Sequence, residues 1–184
     1  MKPDIVKQIL DIIANRRSIR SYSPQPIPPE QLRQLVEAAR WAPSPSNMQS
    51  WRFVVVQDPG QLDMLMSVSP GFPRESTAAI VICSDQRDVR GCKEALAKIL
   101  VAEEAAMAAQ NILLTAHAMG LGSCVVASFS PVGLAELLEC PAPVRPVLVV
   151  AIGVPGENPV APERKPLSQI LSWETYQEEV DERK

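Results

Sequence analysis

Four short apolar runs constrain this chain most: Trp51 to Val56, Ala78 to Cys83, Ser123 to Ala127 and Pro146 to Ile152. Runs of this length, bounded by turn residues, read as buried strands. The segments between them carry helical spacing. Residues 3 to 14 place Ile5, Ile9, Leu10, Ile12 and Ile13 on one broad face, with Pro3 in the first turn. After the proline cluster at 24, 26, 28 and 29, Leu32, Leu35, Val36 and Ala39 repeat as on a second helix. Shorter helices are predicted over Gln61 to Val68 and Val132 to Leu138. The alanine-rich stretch from Lys93 to Met119 reads as one long buried helix or two, stopped by Gly120. Strands separated by helices indicate a central sheet of α/β or α+β type. The 184 residues show no internal repeat and no linker, so one domain over 1–184 is expected. Pro43 to Ser50 and residues 69 to 76 read as loops, the second exposed.

The inventory of reactive side chains is narrow. There is one histidine, His117, and four cysteines, Cys83, Cys92, Cys124 and Cys140, without a C-x-x-C pair. A protein metal site or a Ser-His-Asp engine is therefore not expected. His117, near the end of the long helix, suits capping of the last carbonyls. The formal net charge of −3 argues against a nucleic-acid binder, and no stretch reads as a membrane span. Scattered thiols without an export signal point to a reducing cytoplasm.

Charge is uneven, however. Residues 1 to 52 hold eight basic and four acidic side chains, including six of the twelve arginines. That concentration suggests a local anion site. Within Arg16-Arg17-Ser18-Ile19-Arg20, an extended backbone would put Arg16, Ser18 and Arg20 on one side and Ile19 towards the core. Two guanidiniums and a hydroxyl suit a phosphate; the arginines could equally neutralise the end of the preceding helix. Pro43-Ser44-Pro45-Ser46-Asn47-Met48-Gln49 offers donors and acceptors on a stiff frame, as the mixed edge of a heterocycle would require. Gly120-Leu121-Gly122-Ser123 is no dinucleotide fingerprint, because it follows a helix and precedes a strand; it reads as a helix stop.

In this order these pieces resemble the nitroreductase family of FMN-dependent oxidoreductases. The resemblance is carried by residues 16–20, by Ala42 to Trp51, and by Ala108-Ala109-Gln110-Asn111 leading to Gly120–Ser123. Gly153-Val154-Pro155 followed by Arg164-Lys165-Pro166-Leu167 completes it. It implies an α+β fold, a central mixed and mostly antiparallel sheet flanked by helices, in an intertwined homodimer with FMN at the interface. It also implies NADH or NADPH as donor, a small-molecule acceptor such as a nitroaromatic or quinone, and ping-pong exchange through N5 of the flavin. No protein side chain would be catalytic. Arg16, Arg17, Ser18 and Arg20 would come from one chain, with Arg16, Ser18 and Arg164 holding the phosphate and a contact from Lys165 left open. Arg20 would lie nearer the ribityl chain and the N1/O2 edge. Pro43, Ser44, Pro45, Asn47 and Gln49 would approach from the second subunit, and the backbone of Ala127 and Ser128 would face N5. Phe72 and Phe129 are candidates for stacking on a flat acceptor. Ser50 replaces a proline common in the family, a difference expected to matter little. A flavin-destroying or dehalogenating member and a non-catalytic flavin-binding protein are the alternatives.

Overall fold

The computed structural model describes residues 3–91 and 93–176. Cys92 and most of the acidic C-terminal end lie outside the described residues. The centre is β3 (Ala78–Asp85), whose eight residues are all buried. It pairs antiparallel with β2 (Trp51–Val56) on one side and with β5 (Val144–Pro155) on the other. The far side of β5 is shared by β4 (Gly122–Val126) and the two-residue β1 (Tyr22–Ser23), both antiparallel to it. The two outer edges of the sheet are thus β2 on one side and β4 with β1 on the other.

Alternation along β3 explains both layers. Ala78, Ile80 and Ile82 face α2 (Pro29–Ala39) and α4 (Glu94–Ala118), with Val150 and Ile152 of β5. Ala79, Val81 and Cys83 face α3 (Pro59–Val68) and α5 (Pro131–Leu137), with Val149 and Ala151. A strand covered on both faces needs no polar side, which is why these runs are continuous rather than alternating. Helix starts follow the local chemistry. Asp58 accepts from Gln61 N at 2.9 Å and Ser130 accepts from Gly133 N at 3.1 Å, each followed by proline at the first helical position. Those caps place both helices one or two residues earlier than their apolar spacing suggests.

Several expectations change. The alanine-rich segment is one 25-residue helix. It is long and apolar enough to cross a membrane, contrary to the expectation that no stretch would be, because alanine lifts its mean hydropathy. Its buried face, Val101, Ala105, Ala108, Ile112 and Ala116, is core of this domain. β1 was not anticipated, since two residues carry no periodicity. Loop 69–76 is anchored rather than exposed: Ser69, Phe72 and Ser76 are buried. Ser69 Oγ donates to the Ser128 carbonyl at 3.0 Å, and Ser130 N donates to the Val68 carbonyl at 2.8 Å. Helix α1 (Pro3–Asn15) forms as predicted, yet Ile5, Ile9, Leu10 and Ile13 on its apolar face are about half exposed. Among the described residues the His117 side chain forms no capping hydrogen bond. The end of α4 is closed by Leu121 N to the Ala116 carbonyl at 2.8 Å and Gly120 N to the His117 carbonyl at 3.0 Å. Gly120 stands at φ +75°, the left-handed conformation glycine adopts freely.

Candidate functional site

The basic segment lies extended along the free edge of β4. Ser18 pairs in parallel with Ser123, and Ile19 N donates to the Ser123 carbonyl at 3.0 Å. Ile19 is buried and fills the space over Gly122, where a Cβ would stand 2.9 Å from Ile19 Cγ2. Alternation then turns Arg16, Ser18 and Arg20 to the other face, the one shared with Ser123 and Val125. The reading in which the arginines serve the end of the preceding helix is met by Arg17. Arg17 Nη1 donates to the carbonyls of Ala14 at 2.8 Å and Arg16 at 2.9 Å, so it serves the end of α1. Among the described residues the Arg16 and Arg20 side chains form no hydrogen bond or ion pair. The Cys124 thiol is pushed up by burial and drawn down by the charges of Arg20 and Arg16.

Two carboxylates fix the backbone that follows. Glu157 Oε1 accepts from the amides of Arg20 and Ser21, the latter at 3.1 Å. Glu75 Oε2 accepts from Ser21 Oγ at 2.8 Å and Tyr22 N at 3.1 Å, and these donors hold its carboxyl below the usual range. Tyr22, buried against Gly153, donates its hydroxyl to the Ile19 carbonyl at 2.6 Å. The strip is therefore held from below while its cations stay free.

The second candidate element sits on the opposite edge of the sheet, before β2. In the loop 44–49, Ser46, Asn47 and Gln49 have φ of 49°, 55° and 52°. Left-handed non-glycine residues cost roughly 1–3 kcal/mol each unless their surroundings hold them. Here Ser44 Oγ accepts from Gln49 N at 3.1 Å, and Asn47 N donates to the Ser44 carbonyl at 3.0 Å. The side chains of Ser46, Asn47 and Gln49 are left exposed, and Pro43 is exposed beside them.

Ser50 corrects the expectation that replacing proline matters little. It is fully buried, and its hydroxyl meets both Ser84 Oγ at 2.8 Å and Glu104 Oε1. Gln86 Nε2 donates to Ser84 Oγ at 3.2 Å. A serine hydroxyl has one proton, so donation runs from Gln86 to Ser84, then to Ser50, then to the carboxylate. Glu104 is 1% exposed, and its Oε2 has no partner among the described residues. Burial pushes its carboxyl up, partly offset by Ser50. Glu104 went unmarked in the sequence because it follows Glu103 in an alanine-rich helix. The available signal was its spacing with Val101, Ala105 and Ala108, which puts it on the buried stripe. Beside it, Asp85 receives Arg87 Nη2 at 2.7 Å and Arg52 Nη2 at 3.3 Å, which bring its carboxyl down to about 2.

The remaining candidates are spread out. Ala127 and Ser128 are exposed just past β4. Phe129 lines a pocket of about 510 Å³ with Ala127, α4 and the start of β5. Phe72 is not at a surface: its ring is 5% exposed and packs in the α3/α5 core, so the expectation that it stacks on an acceptor is withdrawn. Arg164 and Lys165 lie on the exposed tail after β5, and among the described residues neither forms a hydrogen bond or ion pair.

The fold is an antiparallel α+β sheet layered by helices on both faces, with a cationic strip on one edge and a polar loop of left-handed residues on the other. The chain belongs to the nitroreductase family, whose model matches residues 13–68 and 66–154. It is 31% identical to an NADH dehydrogenase of Thermus thermophilus, over 86% of this chain and 92% of that one. It is 28% identical to an FMN reductase [NAD(P)H] of Bacillus subtilis, covering 93% and 75% of the two chains. The solved NADPH:FMN oxidoreductase of Vibrio harveyi complexed with NAD+ matches with a TM-score of 0.83 at 27% identity, over 92% of this chain and 78% of that one.

Proposed function

We propose that this chain is an FMN-dependent NAD(P)H oxidoreductase, working as a homodimer that shares each flavin between two subunits. The observation that carries the reading is the separation of the two ligand-binding elements. The strip beyond β4 and the loop before β2 are divided by β4, β5 and β3, about 19 Å of sheet at ordinary strand spacing. One ring cannot touch both within a single chain, whereas two copies facing each other bring one strip against the other copy's loop. Unpartnered apolar surface supports this arrangement. The face of α1 is open, and Leu167, Ile170 and Trp173 on the tail are exposed. Burying such surface is what drives obligate association.

The residues fit FMN. Arg16 and Arg20, unpaired beside the Ser18 hydroxyl, match a phosphate monoester and the start of a polyol chain. Arg164, with Lys165, reaches the same phosphate from the tail. Arg20, further along the strip, would stabilise negative charge at the N1/O2 edge. Pro43, Ser44, Pro45, Asn47 and Gln49 of the second copy meet the polar rim of the ring, and the backbone at Ala127 and Ser128 meets its N5 side. FMN held there would supply hydride-transfer chemistry between NAD(P)H and a quinone or nitroaromatic acceptor, so no protein nucleophile is required. NAD(P)H and the acceptor take turns in one pocket, which makes the kinetics ping-pong. A quinone takes up the hydride and one proton from water, leaving NAD(P)+ and hydroquinone. The free thiols Cys83, Cys124 and Cys140 suit a reducing cytoplasm.

The test is the absorbance spectrum of the purified protein, chromatography of the cofactor released by heat, and NADH and NADPH oxidation with a quinone. Bound FMN and steady turnover are expected, with less flavin retained by Arg16→Ala. A protein that stays colourless after FMN is added would refute the reading. Bound FMN without turnover would leave a flavin-binding protein only.

A further inference from the structure

We infer that the pocket beside Phe129 is an acceptor site selective for flat aromatic molecules carrying a carboxylate or sulfonate. The inference rests on the flavin reading for its role in turnover, though not for binding. The pocket joins the end of β4, the start of β5 and the first turns of α4. At about 510 Å³ it lies within the range of small-ligand sites and has room for one or two fused rings. Its floor is apolar: Ala97, Val101, Phe129, Pro146 and Val147. Phe129 brings an aromatic side chain to this lining, on which a flat ligand would stack.

The rim is cationic. Arg145 and Lys98 border this floor, with Glu94 as the one acid and Gln86 as a neutral donor. Among the described residues the Arg145 guanidinium holds no hydrogen bond or ion pair, so its planar pair of donors is free for a carboxylate or sulfonate. Lys98 Nζ lies 2.9 Å from Glu94 Oε1, with side chains 71% and 83% exposed. A pair so solvated is weak and is readily given up to a ligand. Glu94 is held below the usual carboxylate range by Lys98 first and by Arg145 more weakly, which puts both cations at the same corner. A neutral quinone would use the floor and leave the cations idle; an acid on the ring engages both. The 2′-phosphate of NADPH is the other anion such a corner could hold. There the adenine would take the floor and the nicotinamide would lie elsewhere, so NADPH binding would leave the acceptor preference untouched, an outcome the kinetics below separate.

Two measurements separate the possibilities. Calorimetric titration of the purified protein with naphthalene-2-sulfonate, which is redox-inert, reads binding alone. NADH and NADPH oxidation by the holoenzyme, with 1,4-naphthoquinone and with its 2-sulfonate, reads selectivity. The wild type should bind naphthalene-2-sulfonate and prefer the sulfonated quinone. Arg145→Gln should lose about tenfold in both affinity and kcat/KM for the sulfonates, the size of one charge-assisted hydrogen bond, with the neutral quinone unchanged. Lys98→Gln should act in the same direction. Equal loss for both quinones, or no loss for the sulfonate, overturns the inference. A rise in KM for NADPH but not NADH, with sulfonates unaffected, assigns the corner to the nucleotide and also overturns it. Sulfonate binding without any NAD(P)H oxidation would leave the pocket standing and sink the flavin reading; turnover without sulfonate preference does the reverse.

Discussion

Replacing Ser50 by alanine tests whether the buried chain from Gln86 to Glu104 holds the loop before β2. Among the described residues the substitution removes the only hydroxyl that reaches Glu104 Oε1, while Oε2 already lacks a partner. In a site 1% exposed, water cannot replace it. Leaving a buried charged acceptor without its donor costs about 2–3 kcal/mol, and for a chain of this length each kcal/mol shifts the melting temperature by roughly 2–4 °C. A fall of about 5–10 °C is therefore expected for Ser50→Ala at neutral pH. The assay is a double-mutant cycle by urea unfolding and thermal melting, with Glu104→Leu as the second change. Leucine needs no donor, so Ser50→Ala in that background should cost less than about 1 kcal/mol, a coupling of about 1.5–2 kcal/mol. The pH dependence has a definite sign. Burial raises the Glu104 carboxyl in the folded state, so its contribution to stability is most favourable below the ordinary value of 4.5 and declines as pH rises through the folded value. Without Ser50 the carboxyl rises further, and the penalty of Ser50→Ala should be larger at pH 8 than at pH 5. An equal cost in both backgrounds, or none in the wild type, would refute the network.

Other consequences can be measured directly. Asp85, held at about 2 against an ordinary 3.8, stabilises the fold above 3.8 and loses that contribution as pH falls towards 2. Asp85→Asn should flatten the fall of the urea midpoint with pH across that window. Gly122→Ala sets a methyl 2.9 Å from Ile19 Cγ2, so it should lower stability by about 1–3 kcal/mol and weaken FMN binding in a fluorescence titration. Ile19→Ala should relieve both effects if the clash is the cause. Replacing Ile9 and Leu10 together by lysine should convert a dimer to monomer by light scattering and reduce flavin retention, while the far-ultraviolet spectrum persists. A dimer of unchanged strength would show that α1 lies outside the interface.

What was legible in the sequence, and what was not, divides along a physical line. Apolar runs and glycine–proline punctuation report local chain preference, so the four long strands, α2 and α4 were readable to within a few residues. The alternation Arg16, Ser18, Arg20 was readable because an extended segment has only two faces, and Ile19 had to take the inner one. Periodicity names the apolar side of an element but not its cover. Phe72 lay in a Pro-Gly-Phe-Pro loop that looked exposed, yet the Ser69 and Ser130 bonds fold it onto α3 and α5. Glu104 went unmarked because its partner, Ser50, lies 54 residues away. The face of α1 is the converse, apolar as read and left uncovered by this chain. That exposure and the division of the binding elements between two sheet edges point the same way. A second copy covering α1 and the tail would also supply the missing half of the ring's surroundings, so association and cofactor binding become one event. Variants that weaken the interface should therefore lose flavin in proportion to dimer, even when every residue of the cationic strip is intact.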